Sequence, residues 1–334
     1  MIQNRYDSID VLRFVLAAIV AINHFSFQAF GPDVTLIPSK LAVEIFFIVS
    51  GYVIAPQIQF VISHLTTRNI FVFLSRRMLR TIPAYFFALL LTCMVLVEWP
   101  SISKLLLYDY FLGIPEADEF AISWSLAVEE YSYIAVGFFL VFSFLIPKVY
   151  RQLGLLFFLM GIVLFAFIAR SVLPINDEEA RIATFFRADA LVYGALVRQY
   201  CTRGSFRLGG IMVALGLMLM VSVEGVFVRY TLLAPAIFLS IGVFLVVLRM
   251  EGIFIEAKNI SATGRWLGSL SYGIYLIHLP VVYGLSVIFT GYLLVLNSFF
   301  ATVVVASFVK EFIEVPCLRL RPGYWGDAGA KAAS

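Results

Sequence analysis

The sequence predicts an all-α integral membrane protein with about ten transmembrane helices and with both termini in the cytoplasm. Three observations lead to this prediction: the composition, the spacing of the apolar runs and the distribution of basic residues between them. Of the 334 residues, 62% are hydrophobic and 13% are charged, whereas a soluble domain carries about 25% charged residues. The chain is therefore expected to bury its apolar surface mostly in lipid. The net charge of +3 comes from scattered residues and gives no support to a nucleic-acid partner.

Apolar runs long enough to cross a bilayer recur along the whole chain. A helix needs about 20 residues to cross a hydrocarbon core of about 30 Å. We predict ten such helices, at 9–30, 41–62, 81–99, 122–146, 153–173, 182–200, 208–224, 231–249, 267–289 and 293–315. The stretch 101–114 is too short to span and is expected to be re-entrant or interfacial. No repeat or linker divides the chain, so we predict a single domain over 1–334, with a core at about 9–316 and a short cytoplasmic tail at 317–334.

Basic residues concentrate in alternate connections, and this bias sets the predicted orientation. If the N-terminus is cytoplasmic, the inside loops and their edges carry twelve basic residues: Arg68, Arg76, Arg77, Arg80, Lys148, Arg151, Arg198, Arg203, Arg207, Arg249, Lys258 and Arg265. The outside connections carry five: Lys40, Lys104, Arg170, Arg181 and Arg229. Because basic residues favour the cytoplasmic side, the N-terminus is predicted there, and an even number of spans returns the C-terminus to the same side.

The cysteines give no sign of a metal site or a disulfide. Cys93, Cys201 and Cys317 lie in or beside apolar segments, and their spacing resembles neither kind of framework. We therefore predict no metal and no permanently bound cofactor.

The first predicted helix carries two polar residues, Arg13 and His24, in "DVLRFVLAAIVAINHF". A charged side chain at mid-helix costs about 2.5–3.5 kcal/mol on insertion scales, so such residues need a reason. Eleven residues correspond to about three turns, which places both side chains on one face, about 16 Å apart along the axis. Two interpretations are open: a polar path lined by this helix, or a snorkelling Arg13 beside a packing His24.

Polar residues recur in the next two predicted helices. Glu44 precedes the small pair Ser50 and Gly51, and small residues let helix backbones approach closely. The block "RRMLR" places Arg76, Arg77 and Arg80 at the cytoplasmic mouth of the third helix. Three guanidinium groups suit phosphates, although ordinary anchoring by positive residues would also place them there.

Later helices continue the pattern. The fourth carries Trp124 and the pair Glu129 and Glu130, and the sixth carries Arg187 and Asp189, for which a structural ion pair with other helices is an equally open interpretation. In the ninth helix, Ser271, Tyr275 and His278 are spaced four and three residues apart and so share one face.

Six short blocks follow one another in a fixed order. They are "RFVLAAIVAINH", "IFFIVSGYVI", "RRMLRTIPAY", "WSLAVEEYSY", "FRADALVYGAL" and "SYGIYLIHLP". In order and approximate spacing they resemble the motifs of acyltransferase family 3, and together with the closing "EVP" they extend from Arg13 to about Pro316. Two departures are mild: Glu44 stands where the family often has Asp, and Tyr52 where it often has Phe.

This resemblance implies a ten-helix membrane O-acyltransferase of the bacterial inner membrane. Such proteins move an acyl group, commonly acetyl from acetyl-CoA, to a hydroxyl, usually of an extracytoplasmic carbohydrate. The implied partners are acyl-CoA as the donor substrate, a carbohydrate or lipid-linked glycan as the acceptor, and membrane lipids. Because about 18 residues follow Pro316, the chain resembles the stand-alone polysaccharide-modifying members rather than those with a fused soluble domain.

The chemistry assigns roles to these residues. Transfer to an alcohol needs a base near the hydroxyl, and imidazole suits that task. We therefore predict His24 as the base, Glu129 as the carboxylate that orients it or shares its proton, and Arg13 as the group that stabilises the oxyanion. The predicted acyl-CoA-binding residues are Arg76, Arg77 and Arg80. The predicted supporting and acceptor-side residues are Glu44, Ser50, Trp124, Arg187, Asp189, Tyr275 and His278.

Two of the supporting residues have more specific expectations. His278 is expected to orient the acceptor or to hold an acyl intermediate, and Arg187 is expected to assist Arg13 at the thioester carbonyl. Two other functions stay open. One is acylation of a small molecule, such as a macrolide, from the cytoplasmic side. The other is a proton-coupled secondary transporter, which neither paired broken helices nor repeat symmetry supports.

Overall fold

The structure, a computed structural model, describes residues 6–32, 34, 39–97, 99–108, 110–111, 120–173, 176–201, 203–221, 233–256 and 258–324. The α-helices in these ranges are α1 Asp7–Phe30, α2 Ser39–Ser63, α3 Thr67–Leu96, α4 Ile102–Leu105, α5 Ser123–Phe142, α6 Arg151–Val172, α7 Asp177–Ile182, α8 Val192–Tyr200, α9 Phe206–Val221, α10 Leu233–Arg249, α11 Glu251–Glu256, α12 Lys258–Ser286, α13 Gly291–Val309 and α14 Val315–Arg319. No β-strand occurs among the described residues, in agreement with the predicted all-α class.

Seven helical stretches in the described part of the chain are long and apolar enough to cross a membrane. They are Asp7–Phe30, Ser39–Ser63, Thr67–Leu96, Ser123–Leu145, Lys148–Val172, Ala234–Phe254 and Gly291–Arg319. Two further helices are not among these seven. Helix α12 has 29 residues but carries polar side chains along much of its length, and α9 has only 16 residues. The chain is thus a multi-pass membrane protein, while the predicted number of about ten spans stays a prediction.

The third predicted span begins earlier than expected. The sequence places 63–80 in a loop, whereas α3 begins at Thr67 and already contains the basic block. The reason is an N-terminal cap: the side-chain oxygen of Thr66 accepts a hydrogen bond from the backbone N–H of Asn69 at 3.1 Å. Arg76, Arg77 and Arg80 therefore lie on a rigid helix rather than on a loop.

The sixth predicted span, 182–200, is wrong as a continuous helix. Residues Thr184–Arg187 form a 3₁₀ helix, and regular α-helix returns only at Val192. Here the backbone pairs with another part of the chain, because the N–H groups of Thr184 and Phe185 donate to the carbonyls of Tyr110 and Phe111 at 2.7 and 3.0 Å. An α-helical residue would instead donate to the carbonyl four residues earlier.

The helices that position the site are α1, α2, α3, α5, α12 and α13. Helix α1 lies at the centre and packs along α12, with α2 and α13 also beside it, while α3 packs on α12 and α5. The alanines Ala17 and Ala21 of α1 are fully buried. Since small residues allow close helix packing in membranes, this pattern explains how α1 and α12 approach each other along so much of their length.

Glycines fix the crossing of α2 and α8. A Cβ atom added at Gly51 would overlap the carbonyl oxygen of Leu191, and one added at Gly194 would overlap the carbonyl oxygen of Ile48. The two backbones therefore touch, which confirms the close approach predicted for the Ser50-Gly51 pair.

We expect Gly194→Ala to lower the free energy of unfolding by about 1–3 kcal/mol, because the new methyl group must push two backbones apart. The matched control is Gly161→Ala, since a Cβ at Gly161 has no atom within 4 Å. That change should be neutral or stabilising, as alanine is the better helix former by about 1 kcal/mol. Thermal unfolding in detergent measures both. Equal melting temperatures for the two variants would contradict the backbone contact.

Candidate functional site

A cavity of about 540 Å³ lies between α1, α2, α3, α5 and α12, with the segment 310–321 along one side. Its size falls in the range of small-molecule sites, about 300–1,000 Å³. Six of the residues predicted for the site line it: Arg13, Ser50, Arg77, Arg80, Glu129 and Tyr275. The structure thus brings together residues from five of the six sequence blocks around one space.

One end of the cavity is strongly charged. Five cations line it there: Arg13, Arg77, Arg80, Lys310 and Arg321. Three carboxylates also line it: Asp10, Glu129 and Glu314. Five positive against three negative charges leave a formal excess of two positive charges. Burial and the neighbouring Arg80, Arg77 and Arg76 lower the pKa of Arg321 to about 10, so its guanidinium is still charged at neutral pH but lies among like charges.

Several polar atoms at this end have no partner among the described residues. The Nε atoms of Arg77 and Arg321 and one carboxylate oxygen of Glu314 are buried without a hydrogen bond in that part of the chain. A buried polar group without a partner is costly. The two Nε–H groups are therefore available to an anionic ligand, and charge-assisted hydrogen bonds to phosphate are among the stronger polar contacts.

The segment after α13 closes the charged end. A single π-helical turn, Lys310–Glu314, follows α13 and is followed by α14; such turns occur often at functional sites. Beyond α14, the carbonyl of Pro322 accepts a hydrogen bond from Arg76 at 2.9 Å, and the Arg76 guanidinium lies 5.4 Å from the ring centre of Tyr324.

The three arginines predicted to bind acyl-CoA do not all lie in the cavity. Arg77 and Arg80 line the cavity, while Arg76 does not and instead holds the C-terminal segment. Arg321 takes a place in the cavity that the sequence did not reveal. It stands in "CLRLRPGY" after the last apolar run, where no local pattern marks it as a site residue.

Tyr275 forms the other end of the cavity. Its hydroxyl lies 2.6 Å from Ser125 Oγ, and Ser125 donates its own proton to the carbonyl of Ile122 at 3.1 Å. Because a serine hydroxyl has one proton, Tyr275 must be the donor to Ser125. The Tyr275 ring meets that of Phe46 edge to face at 5.9 Å. The ring is therefore held in place on two sides.

The two predicted histidines form a pair behind Tyr275. His24 Nδ1 lies 2.7 Å from His278 Nε2, and the rings are parallel within 5°. Neither histidine lines the cavity. Tyr275 connects the two regions, because it lines the cavity and also meets the His278 ring edge to face at 6.0 Å.

Glu129 and Arg13 lie away from this pair. The hydrogen bond to Glu129 in the described part of the chain comes from Tyr133, at 2.5 Å, and not from His24. Since α1 is continuous from Asp7 to Phe30, the separation of Arg13 and His24 along the axis is about 16 Å. Arg13 interacts electrostatically with Arg80, Asp10, Glu129 and Glu314. It thus belongs to the charged end of the cavity.

The remaining predicted residues form buried contacts beside the cavity. Arg187 makes two hydrogen bonds to the Glu44 carboxylate, at 2.8 and 2.7 Å. Asp189 pairs in the same way with Arg170, at 3.0 and 2.8 Å. All four side chains are almost fully buried, which favours the structural interpretation of Arg187 and Asp189. Trp124 meets Phe47 of the cavity wall edge to face at 5.9 Å.

No group of three or more histidine, cysteine, aspartate or glutamate residues in the described ranges could hold a metal ion. Comparison with known families gives one result: a family model described as an acyltransferase domain matches residues 6–310. No curated protein and no solved structure matches the chain. The matched range contains α1 to α13 and ends at Lys310, before Glu314 and Arg321.

Proposed function

Because the chain belongs to acyltransferase family 3 and is a multi-pass membrane acyltransferase, we propose that it is an acyl-CoA-dependent O-acyltransferase of the bacterial inner membrane. It takes an acyl group, acetyl in the simplest case, from cytoplasmic acyl-CoA to a hydroxyl of an extracytoplasmic or lipid-linked carbohydrate. One observation carries the proposal. A single cavity is lined at one end by arginines, two of which have a buried Nε–H without a hydrogen-bond partner among the described residues, and at the other by a tyrosine in contact with a histidine pair.

The charged end is the donor site in this proposal. Coenzyme A carries phosphates, and the guanidinium groups of Arg77, Arg80 and Arg321 are the groups best suited to them. Arg13 adds a fourth cation there. Its distance from His24, about 16 Å along α1, supports a role in holding the donor rather than in stabilising an oxyanion beside His24. The remaining length of the cavity accommodates the pantetheine arm, with the thioester near Tyr275.

Acyl transfer at the Tyr275 end of the cavity needs a base near the acceptor hydroxyl, and His24 fits that role. His24 is partly exposed, whereas His278 is fully buried. His24 removes the proton of the acceptor hydroxyl as the oxygen attacks the thioester carbonyl. The C–S bond then breaks, and the proton passes from His24 to the leaving sulfur. The products are an ester and free coenzyme A, so no oxidant, metal or further reactant is needed.

The predicted orientation places the charged end of the cavity on the side of the membrane where coenzyme A is present. Basic residues favour the cytoplasmic side, and coenzyme A is cytoplasmic, so the charged end is proposed to open there. Both described ends of the chain lie at this end of the bundle, because Tyr6 packs against Tyr52 and Tyr324 against Phe60, all in contact with the second half of α2. The acyl group can cross toward the acceptor while coenzyme A stays behind.

The test uses purified protein in nanodiscs with radiolabelled acetyl-CoA, with release of free coenzyme A as the readout. We expect turnover that rises when a glycan-containing lipid extract is added. Stimulation by a macrolide instead would move the acceptor to the small-molecule class. Protein that neither binds nor cleaves acetyl-CoA would overturn the proposal and favour the transporter.

We expect Arg321→Gln to raise the KM for acetyl-CoA about 10- to 100-fold with little change in kcat, since one charge-assisted hydrogen bond is worth about 1.5–3 kcal/mol. Arg319→Gln is the matched control, because Arg319 lies two residues away, is exposed and does not line the cavity. Equal KM values for the two variants would remove Arg321 from the donor site.

A further inference from the structure

The two histidines are chemically distinct because their surroundings differ. His278 is fully buried, and the rings of Phe25 and Tyr275 meet it edge to face at 6.2 and 6.0 Å. A substrate therefore has no access to this imidazole. His24 is partly exposed, so it is the member of the pair that a hydroxyl can reach.

Hydrogen bonding determines where each ring carries its proton. His278 Nδ1 lies 3.2 Å from the carbonyl oxygen of Ile274. A carbonyl oxygen only accepts hydrogen bonds, so Nδ1 must carry the proton, and a neutral imidazole then has its lone pair on Nε2. That nitrogen faces His24 Nδ1 at 2.7 Å. His24 must therefore donate from Nδ1, which leaves the lone pair of His24 on Nε2.

From this chain of contacts we propose that His278 is a positioning residue, which holds His24 in the Nδ1–H tautomer through the Ile274 carbonyl and so directs the basic Nε2 atom of His24 at the acceptor hydroxyl. The role as base rests on the proposed function, whereas the tautomer itself does not. His278 does what a buried carboxylate does for the histidine of a catalytic triad, but it does so without a charge, which suits a site inside a membrane.

The assignment replaces two sequence-based expectations. In this proposal the fully buried His278 neither carries an acyl group nor contacts the acceptor, and His278 takes the orienting role instead of Glu129, which is bonded to Tyr133. When His24 Nε2 takes up the acceptor proton, the Nδ1–H···Nε2 bond to His278 becomes charge-assisted and stronger. The pair thus stabilises the imidazolium at the moment when it forms.

The first test reads the tautomer directly. The chain has three histidines, of which His64 lies exposed at the end of α2. In a His64→Gln background, a ¹⁵N-histidine-labelled protein therefore shows only the ring nitrogens of His24 and His278. We expect solid-state NMR in lipid bilayers to show a protonated Nδ1 and a bare Nε2 on both rings, with His24 identified by its loss in His24→Gln. A bare Nδ1 on His24 would overturn the proposal, whatever the protein catalyses.

The second test compares two substitutions of His278. His278→Gln places an amide oxygen near the position of Nε2, so it can still accept from His24. His278→Leu has a similar bulk and cannot accept. We expect His278→Leu to lower kcat about 10²- to 10⁴-fold, the range over which an orienting group acts, with the KM for acetyl-CoA changed less than about 3-fold. His278→Gln should recover at least a tenth of the activity, and its His24 should keep the proton on Nδ1.

The two tests separate the inference from the proposed function. Equal losses in His278→Leu and His278→Gln, with the wild-type tautomer retained in both, would give His278 a merely packing role and overturn the inference. A protonated Nδ1 on His24 in a protein whose thioester turnover survives His24→Ala would leave the tautomer assignment intact and would remove His24 as the base. If His278→Leu does not fold, the NMR measurement on the parent protein and the His278→Gln kinetics still decide.

Discussion

His24→Ala is expected to lower the kcat for acyl transfer by about 10²–10⁴-fold, because the acceptor hydroxyl loses its general base. The KM for acetyl-CoA should change little, since His24 does not line the cavity assigned to the donor. The measurement is release of coenzyme A from acetyl-CoA by purified protein, with the acceptor in excess. Steady-state rates over a range of donor concentrations separate the two parameters.

The matched control is His64→Ala. This histidine is exposed at the end of α2 and stacks on Phe60, with ring centres 4.5 Å apart. The same chemical change at this position should leave both parameters close to those of the parent protein. If the two alanine variants have the same kcat, His24 is not the base, and the base must be sought among the residues that line the cavity.

Arg187→Met is expected to destabilise the protein by about 3–5 kcal/mol, because it leaves the carboxylate of Glu44 buried without its partner. The side chains of Arg187 and Glu44 are 1% and 7% exposed, so water cannot replace the lost bonds. The double variant Glu44→Met and Arg187→Met removes both charges and should recover most of the loss. Thermal unfolding of the parent protein, the single variant and the double variant in detergent micelles measures both effects.

An exposed ion pair provides the comparison. Lys40 and Glu178 lie 3.5 Å apart, with side chains 70% and 47% exposed, and such pairs contribute about 0–1 kcal/mol. Lys40→Met should therefore unfold close to the parent temperature. A double variant as unstable as Arg187→Met would show that the loss comes from packing rather than from an unpaired charge.

The fold was predictable where it depends on local apolar pattern, and less so where it depends on contacts between distant segments. Long apolar runs correctly indicated helices such as α1, α2 and α6. The run 182–200 was wrongly predicted as one continuous helix. Its hydropathy is that of a transmembrane span, but its backbone pairs with residues 110 and 111. The early start of α3 follows from Thr66, whose capping role a sequence of mostly basic and polar residues at 66–69 did not make evident.

The residues of the candidate site were likewise predictable from local sequence pattern but not from contacts between distant segments. Arg13 stood out from sequence because a charged residue in an apolar run is costly. Arg77 and Arg80 stood out as a cluster of guanidinium groups, and Tyr275 because it shares a helix face with His278. Arg321 was missed because it lies outside any apolar run, where an arginine is ordinary. The contact between His24 and His278 joins residues 254 positions apart, and no local spacing could have indicated it.

The position of Tyr6 and Arg321 has a practical consequence for anyone who labels this protein. Both residues line the cavity, so a fluorescent reporter could be attached at either of them. Either attachment would bring bulk close to the proposed entrance for acyl-CoA. The connection 147–150 between α5 and α6 offers an alternative insertion point, since its residues are exposed and contribute nothing to the cavity lining. A reporter inserted there would leave the entrance clear.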